Sequence, residues 1–178
     1  MPPTTAMVLP AATRGEALEA SAGTFEELLQ EHQAMVFSLA LHTLRDRGLA
    51  EDVAQEAFLR LSQRMRDLRS GSHALFWLRQ VTCRLCIDEL RRRRPGSLED
   101  HAEPGVEPAL GDPFLEARLR RLVGDLPPKA RLAVVLRYQE DLDPAEIAEL
   151  LKEPVPTVKS RIQRALATLR AALEGGTP

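Results

Sequence analysis

The chain reads as an all-α protein built as two small helical domains joined by a flexible acidic linker, and three observations predict this. Apolar residues recur at three- and four-residue spacing along most of its length. No segment alternates β-branched and polar residues as a half-buried strand does. Caps, prolines and glycines cut the periodic stretches into seven pieces, with one acidic, Pro- and Gly-containing gap after the third.

Residues 1–22, rich in Pro, Ala and Thr, have no sustained period and read as a loose tail. Thr24 followed by Glu27 forms a capping box, so a helix starts there, with Phe25, Leu28, Leu29, Val36 and Leu39 at helical spacing. Gly48 is expected to stop it. A second helix carries Ala50, Val53, Ala57, Leu61, Met65 and Leu68 on one stripe, and Arg69-Ser70-Gly71-Ser72 is a loop signal. A third runs from about His73 to Arg93, closed by Pro95-Gly96. After the gap, Asp112-Pro113 caps a fourth helix bearing Leu115, Leu119 and Leu122. A fifth begins near Pro127-Pro128, and Asp143-Pro144-Ala145-Glu146 opens a sixth with an N-cap, a first-turn proline and an acid at the third position. The last runs from about Pro156 to Leu173. The boundaries are therefore a tail at 1–22, a three-helix domain at 23–94, a linker at 95–111 and a four-helix domain at 112–174.

With 178 residues, 44% of them hydrophobic and 28% charged, the composition is that of a soluble globular protein. No apolar run approaches the roughly 20 residues of a membrane span, the N-terminus has no secretory pattern, and two cysteines cannot make a disulfide framework. The expected location is the cytoplasm, without membrane insertion. A net charge of −2 conceals strong segregation. Gly15 to Leu44 holds five acids and no Lys or Arg, and so does Pro95 to Pro113. Arg84 to Arg94 holds five arginines, while Lys159, Arg161, Arg164 and Arg170 stand without an acid between Pro154 and Leu173. Two basic patches in an acidic chain point to two polyanion contacts, with two solvated helix faces as the plain alternative.

The C-terminal helix pair carries the clearest motif. Val158, Ile162, Ala165, Leu166, Leu169 and Leu173 share one side of the last helix, with Thr157, Ser160, Arg161, Arg164 and Thr168 on the other. This is the layout of a helix-turn-helix whose second helix enters a major groove, where Arg pairs bidentately with guanine and Ser, Thr and Lys suit phosphates. On the third helix Gln80, Arg84 and Arg91 share a narrow sector flanked by Trp77, suited to a phosphate backbone or a stacked base. Trp77 also reads as an ordinary core anchor. On the second helix Asp52 and Glu56 lie one turn apart beside Gln55, a solvated acidic face or a docking surface for a basic partner. Cys83 and Cys86 form a CxxC without a second pair or clustered histidines, which reads as two buried inert thiols. No nucleophile constellation or phosphate loop is present, so neither an enzyme nor a cofactor is expected.

In this order and spacing, the segments resemble the extracytoplasmic-function group of bacterial sigma factors, within the sigma-70 family. Ala50-Glu51-Asp52-Val53-Ala54-Gln55-Glu56-Ala57-Phe58-Leu59 is similar to that family's polymerase-docking helix. Trp77-Leu78-Arg79-Gln80-Val81 through Ile87-Asp88-Glu89-Leu90-Arg91-Arg92 is similar to its −10 segment. Glu146-Ile147-Ala148, Thr157-Val158-Lys159-Ser160-Arg161 and Arg164-Ala165 are similar to its −35-reading helix-turn-helix. The resemblance implies a region 2-like domain and a region 4-like domain, with promoter-specific transcription initiation as the function and the nucleoid as its place. It implies docking by Asp52, Gln55, Glu56 and Leu59 on the clamp helices of the largest subunit of core RNA polymerase, with region 4 near the flap. It implies −10 contacts from Trp77, Gln80, Arg84, Arg91, Arg92, Arg93 and Arg94, and −35 contacts from Thr157, Lys159, Ser160, Arg161 and Arg164. An anti-sigma factor is a further implied partner. This chain departs from the pattern at Cys83-Arg84, where the family often has Arg-Asn, and at Lys152 and Pro156, where it often has Gly. Two rivals stand beside this reading: a helix-turn-helix regulator that never docks on polymerase, and a thiol- or metal-responsive variant centred on Cys83 and Cys86.

Overall fold

In a computed structural model of the chain, residues 23–92 and 113–175 are described. The expected tail, Arg93, Arg94, the linker and the Asp112 cap lie outside them. Seven α-helices are found among the described residues: α1 (Phe25–Leu44), α2 (Arg47–Arg64), α3 (Gly71–Arg92), α4 (Pro113–Asp125), α5 (Pro128–Tyr138), α6 (Pro144–Leu151) and α7 (Val155–Glu174), with a 3₁₀ turn at Met65–Asp67. The all-α expectation stands, and no strand occurs among the described residues.

Local chemistry explains most of the boundaries. Thr24 Oγ1 accepts the Glu27 amide at 3.2 Å while Glu27 Oε2 accepts the Thr24 amide at 2.8 Å, closing the predicted capping box on α1. Asp143 and Glu146 close a second box at the start of α6. Gly48 does not end α1. The chain instead reverses at Arg45, in a left-handed conformation at φ 58°, and Asp46 caps α2 by accepting the Leu49 amide at 3.0 Å. Gly48 lies inside the first turn of α2, where the new cap outweighs its poor helix propensity.

The first three helices pack on one another. Leu28, Val36, Ala57, Phe58, Leu61, Leu78 and Val81 form one cluster, and Ala40, Leu44, Ala50, Val53 and Cys86 form its neighbour. Each fully buried Leu or Val there contributes about 1.5–3 kcal/mol of transfer free energy. His32 is buried on the inner face of α1. Burial holds its imidazole below the ordinary value; Glu31 opposes this and Arg79 reinforces it. The unfolded chain then binds a proton more readily than the folded one. Stability is full above pH 6.5 and declines as the pH falls below it toward the lower folded value. Thermal melts from pH 7.5 to 5.5 are expected to show this loss, and His32→Gln to flatten it.

The helix-turn-helix helices α6 and α7 pack against α5 through Ile147, Leu132, Leu136, Val158 and Ile162, while Leu126, Val134, Ala165 and Leu169 join α5 to the far end of α7. The first of these clusters also takes in Leu39 of α1 and Cys83 of α3. The two helical units therefore share a core.

Candidate nucleic-acid and partner interfaces

Three surfaces carry the residues singled out from sequence. The first lies between α1 and α2, where an open groove of about 880 Å³ is floored by Phe25, Leu29, Phe37, Ala54 and Phe58. Arg47, whose guanidinium lies 5.9 Å from the centroid of the Phe37 ring, pairs with Glu51 at 2.9 Å on its rim. Gln55 and Leu59 line this groove, and Leu59 is 56% exposed, a large apolar side chain held in water. Asp52 and Glu56 do not line it. They follow one residue behind Glu51 and Gln55 on α2, which turns them to the groove's outer flank. Asp52 is exposed, and Glu56 pairs with Arg60 at 2.6 Å. An apolar trough beside carboxylates suits an amphipathic helix with a basic flank. The acidic pattern of α2 was visible in the sequence, but the trough was not, because half of it comes from α1.

The second surface is on α3. Arg84, Arg91 and Arg92 are exposed. Arg91 lies 3.6 Å from Asp88 and Arg92 3.2 Å from Glu89, surface pairs worth at most about 1 kcal/mol and readily exchanged for phosphate. Gln80 is half-buried. Trp77 is half-buried as well, packed against the apolar cluster of the first three helices, so it anchors α3 while flanking the basic sector.

The third surface is the outer face of α7. Thr157, Lys159 and Arg164 are exposed, and Ser160 is half-buried. Arg164 is preset along the helix by donating to the Ser160 carbonyl at 3.2 Å and to Ser160 Oγ at 3.3 Å. Arg161 behaves differently. Its side chain is 16% exposed and pairs with Glu153 in the turn between α6 and α7, and Lys129 of α5 reaches the same carboxylate at 3.3 Å. Burial pushes the Glu153 carboxyl up, yet the hydrogen bonds and charges of Arg161 and Lys129 outweigh it and hold the group below its usual value. Arg161 thus ties α7 to the preceding turn and, through the shared carboxylate, to Lys129 of α5. Glu153, the residue behind this, carried no signal in the sequence because its partner is eight positions away across a turn.

That turn is left-handed at Lys152, φ 55° and ψ 46°, where its amide donates to the carbonyls of Ala148 and Glu149. A side chain there costs about 1 kcal/mol relative to glycine. Lys152→Gly is expected to raise unfolding stability by about 0.5–1 kcal/mol in urea titrations. Pro156 sits in the first turn of α7, where it is tolerated.

The two thiols are buried. Desolvation raises the Cys83 thiol well above its ordinary value, reinforced by Cys86 and Glu140, and pushes Cys86 up to about 12. Both are protonated and poorly nucleophilic at neutral pH. No three His, Cys, Asp or Glu side chains gather as a metal-binding group among the described residues. No helix among them is long and apolar enough to cross a membrane.

The two helical units match two known sequence families. Residues 28–95 match sigma-70 region 2 and residues 116–169 match sigma-70 region 4. The RNA polymerase sigma-H factor of Pseudomonas aeruginosa is 30% identical over 166 residues, covering 84% of this chain and 86% of that protein. The ECF RNA polymerase sigma factor SigE of Mycolicibacterium smegmatis is 34% identical over 161 residues, 85% of this chain. The chain belongs to the extracytoplasmic-function group of the sigma-70 family. It spans 62% of the length of that SigE relative. Its fold is that of the sigma factor RpoE in the complex with the anti-sigma factor NepR from Bartonella quintana: TM-score 0.67 at 17% identity, over 86% of this chain and 98% of that one. In this sigma factor, then, the groove and the basic strip of α3 lie in region 2, and the exposed face of α7 lies in region 4.

Proposed function

We propose that this sigma factor docks on core RNA polymerase through the α1–α2 groove and directs promoter-specific initiation, its region 4 helix-turn-helix holding the −35 element while α3 captures and melts the −10 element. The observation that carries this reading is an apolar groove edged by carboxylates on the same chain as two separate helices with exposed basic faces. A regulator that only bound DNA would have no use for the groove. Leu59 and Gln55 enter it with the partner helix, and Asp52 and Glu56 meet that helix's basic flank. Arg84, Arg91 and Arg92 bind backbone at the −10 element, joined by Arg93 and Arg94 from the sequence, with Gln80 and Trp77 beside them. At the −35 element Arg164 reads a base edge, Thr157, Lys159 and Ser160 hold phosphates, and Arg161 positions α7 through Glu153. The chain makes and breaks no covalent bond; the polymerase does. Its place of action is the cytoplasm, at the nucleoid. The RpoE relative was captured with an anti-sigma factor, and a protein of that kind is a fitting inhibitor here.

Footprinting tests the reading. Core polymerase with the chain is expected to protect both elements of a promoter and to render bases at −10 reactive to single-strand probes. Protection of one site by the chain alone, unchanged by polymerase, would favour a conventional helix-turn-helix regulator.

A further inference from the structure

The outer face of α7 holds one side chain that none of the −35 contacts named so far uses. Gln163 is exposed there, between Ile162 of the buried stripe and Arg164. Its amide makes no hydrogen bond among the described residues. Its neighbours are committed. Arg161 is drawn into its pair with Glu153, and Arg164 donates to the carbonyl and the hydroxyl of Ser160. Ser160 Oγ in turn donates to the Thr157 carbonyl at 3.1 Å, and Thr168 Oγ1 to the Arg164 carbonyl at 3.0 Å.

Helical geometry gives Gln163 a particular place on that face. Val158, Ile162, Ala165 and Leu169 are buried and define the inner side of α7. At about 100° per residue, Ser160 and Ala167 lie within about 10° of the opposite direction, the crest of the outer face. Gln163 and Arg164 stand about 50° to either side of it, while Lys159 and Thr168 lie about 90° away, on the flanks. The crest residues Ser160 and Ala167 are small, so they let the helix approach a surface closely. Between Pro156 and Ala171, Gln163 and Arg164 are the long side chains nearest the crest. In a major groove the flanks face the phosphate walls and the crest faces the base edges.

Chemistry then divides the two. Guanine offers two acceptors, O6 and N7, which suit the Arg164 guanidinium. Adenine offers the N7 acceptor beside the N6 amino donor. Arg and Lys carry donors only and cannot accept from that amino group. A glutamine amide holds a carbonyl and an NH2 side by side and complements adenine at both atoms. Gln163 is the one carboxamide between Pro156 and Ala171.

We propose that Gln163 is a specificity-determining residue of the −35 interface: its amide donates to N7 and accepts from N6 of one adenine, beside the base read by Arg164. This role deepens the region 4 function proposed above and rests on it. It gives α7 two readers of opposite demand, one for a base edge with acceptors only and one for an edge with both a donor and an acceptor. The flanking Lys159 is left to the backbone.

The test uses the full chain with core polymerase on promoters carrying each of the four bases at every −35 position, with transcripts counted by sequencing. The wild type is expected to favour adenine at one position by about fivefold to a hundredfold. Gln163→Ala is expected to flatten that position alone, and Gln163→Arg to turn it toward guanine. Arg164→Ala flattens a different one. Helical circular dichroism and retention on core are expected to stay unchanged in both Gln163 variants. Wild-type base preferences in Gln163→Ala would overturn the proposal. A loss shared equally by all templates would overturn it as well, leaving Gln163 a backbone contact. Absence of any chain-dependent transcript, with the wild type included, counts instead against the sigma-factor reading. Titrations of the chain alone with the same set of −35 duplexes then decide Gln163 by the same pattern.

Discussion

Asp52→Lys together with Glu56→Lys will abolish retention of the chain on core RNA polymerase while leaving its fold intact. Asp52 is exposed, and Glu56 is committed only to a surface pair with Arg60, so their loss from the folded chain costs at most about 1 kcal/mol. Placing two cations against a basic partner helix is far more expensive, with several kcal/mol for each like-charge juxtaposition. Gel filtration with purified core reads the docking, and a thermal melt reads the fold. Leu59→Ser extends the test to the apolar trough and is expected to weaken retention without the charge effect. A double-lysine chain that still co-elutes with core would remove the α1–α2 groove from the account.

Arg164→Ala is expected to weaken binding to the −35 element by about 1–3 kcal/mol and to relax sequence preference at one position. Arg164 is exposed on the outer face of α7 and held in one orientation by two contacts to Ser160, so little ordering is needed on binding. Lys159→Ala is the control. It should lower affinity for all sequences alike and reduce the salt dependence by about one counterion. Titrations of matched and single-base-changed −35 duplexes separate the two. Uniform losses for Arg164→Ala would make it a phosphate contact.

Much of this was legible in the chain because its determinants are local. Capping boxes at Thr24–Glu27 and Asp143–Glu146 mark helix starts within four residues, and the 3.6-residue period finds the buried faces of α1, α2, α5 and α7, whereas Leu115 and Leu119 on α4 are exposed. The misread stop at Gly48 has the same local origin. Asp46, three residues before Leu49, was the stronger signal, and a left-handed Arg45 supplied the reversal that a glycine would ordinarily provide. What stayed hidden is long-range. Arg79 and Glu140, an ion pair at 3.0 Å, are 61 residues apart, and nothing near either one announces the other. Arg161 reads from the sequence as one more cation on the outer face of α7, and its largely buried pair with Glu153 in the preceding turn could not be read there. The apolar half of the α1–α2 groove is likewise spread over α1, where Phe25 and Leu29 read as part of an ordinary helical stripe and Phe37 carried no signal.

The most direct test of the central claim is run-off transcription with purified bacterial core polymerase on a promoter library, with and without this chain. Discrete transcripts are expected only when the chain is present, from templates sharing a −35 and a −10 element. Sequence-specific DNA binding with no chain-dependent transcript and no retention on core would contradict it.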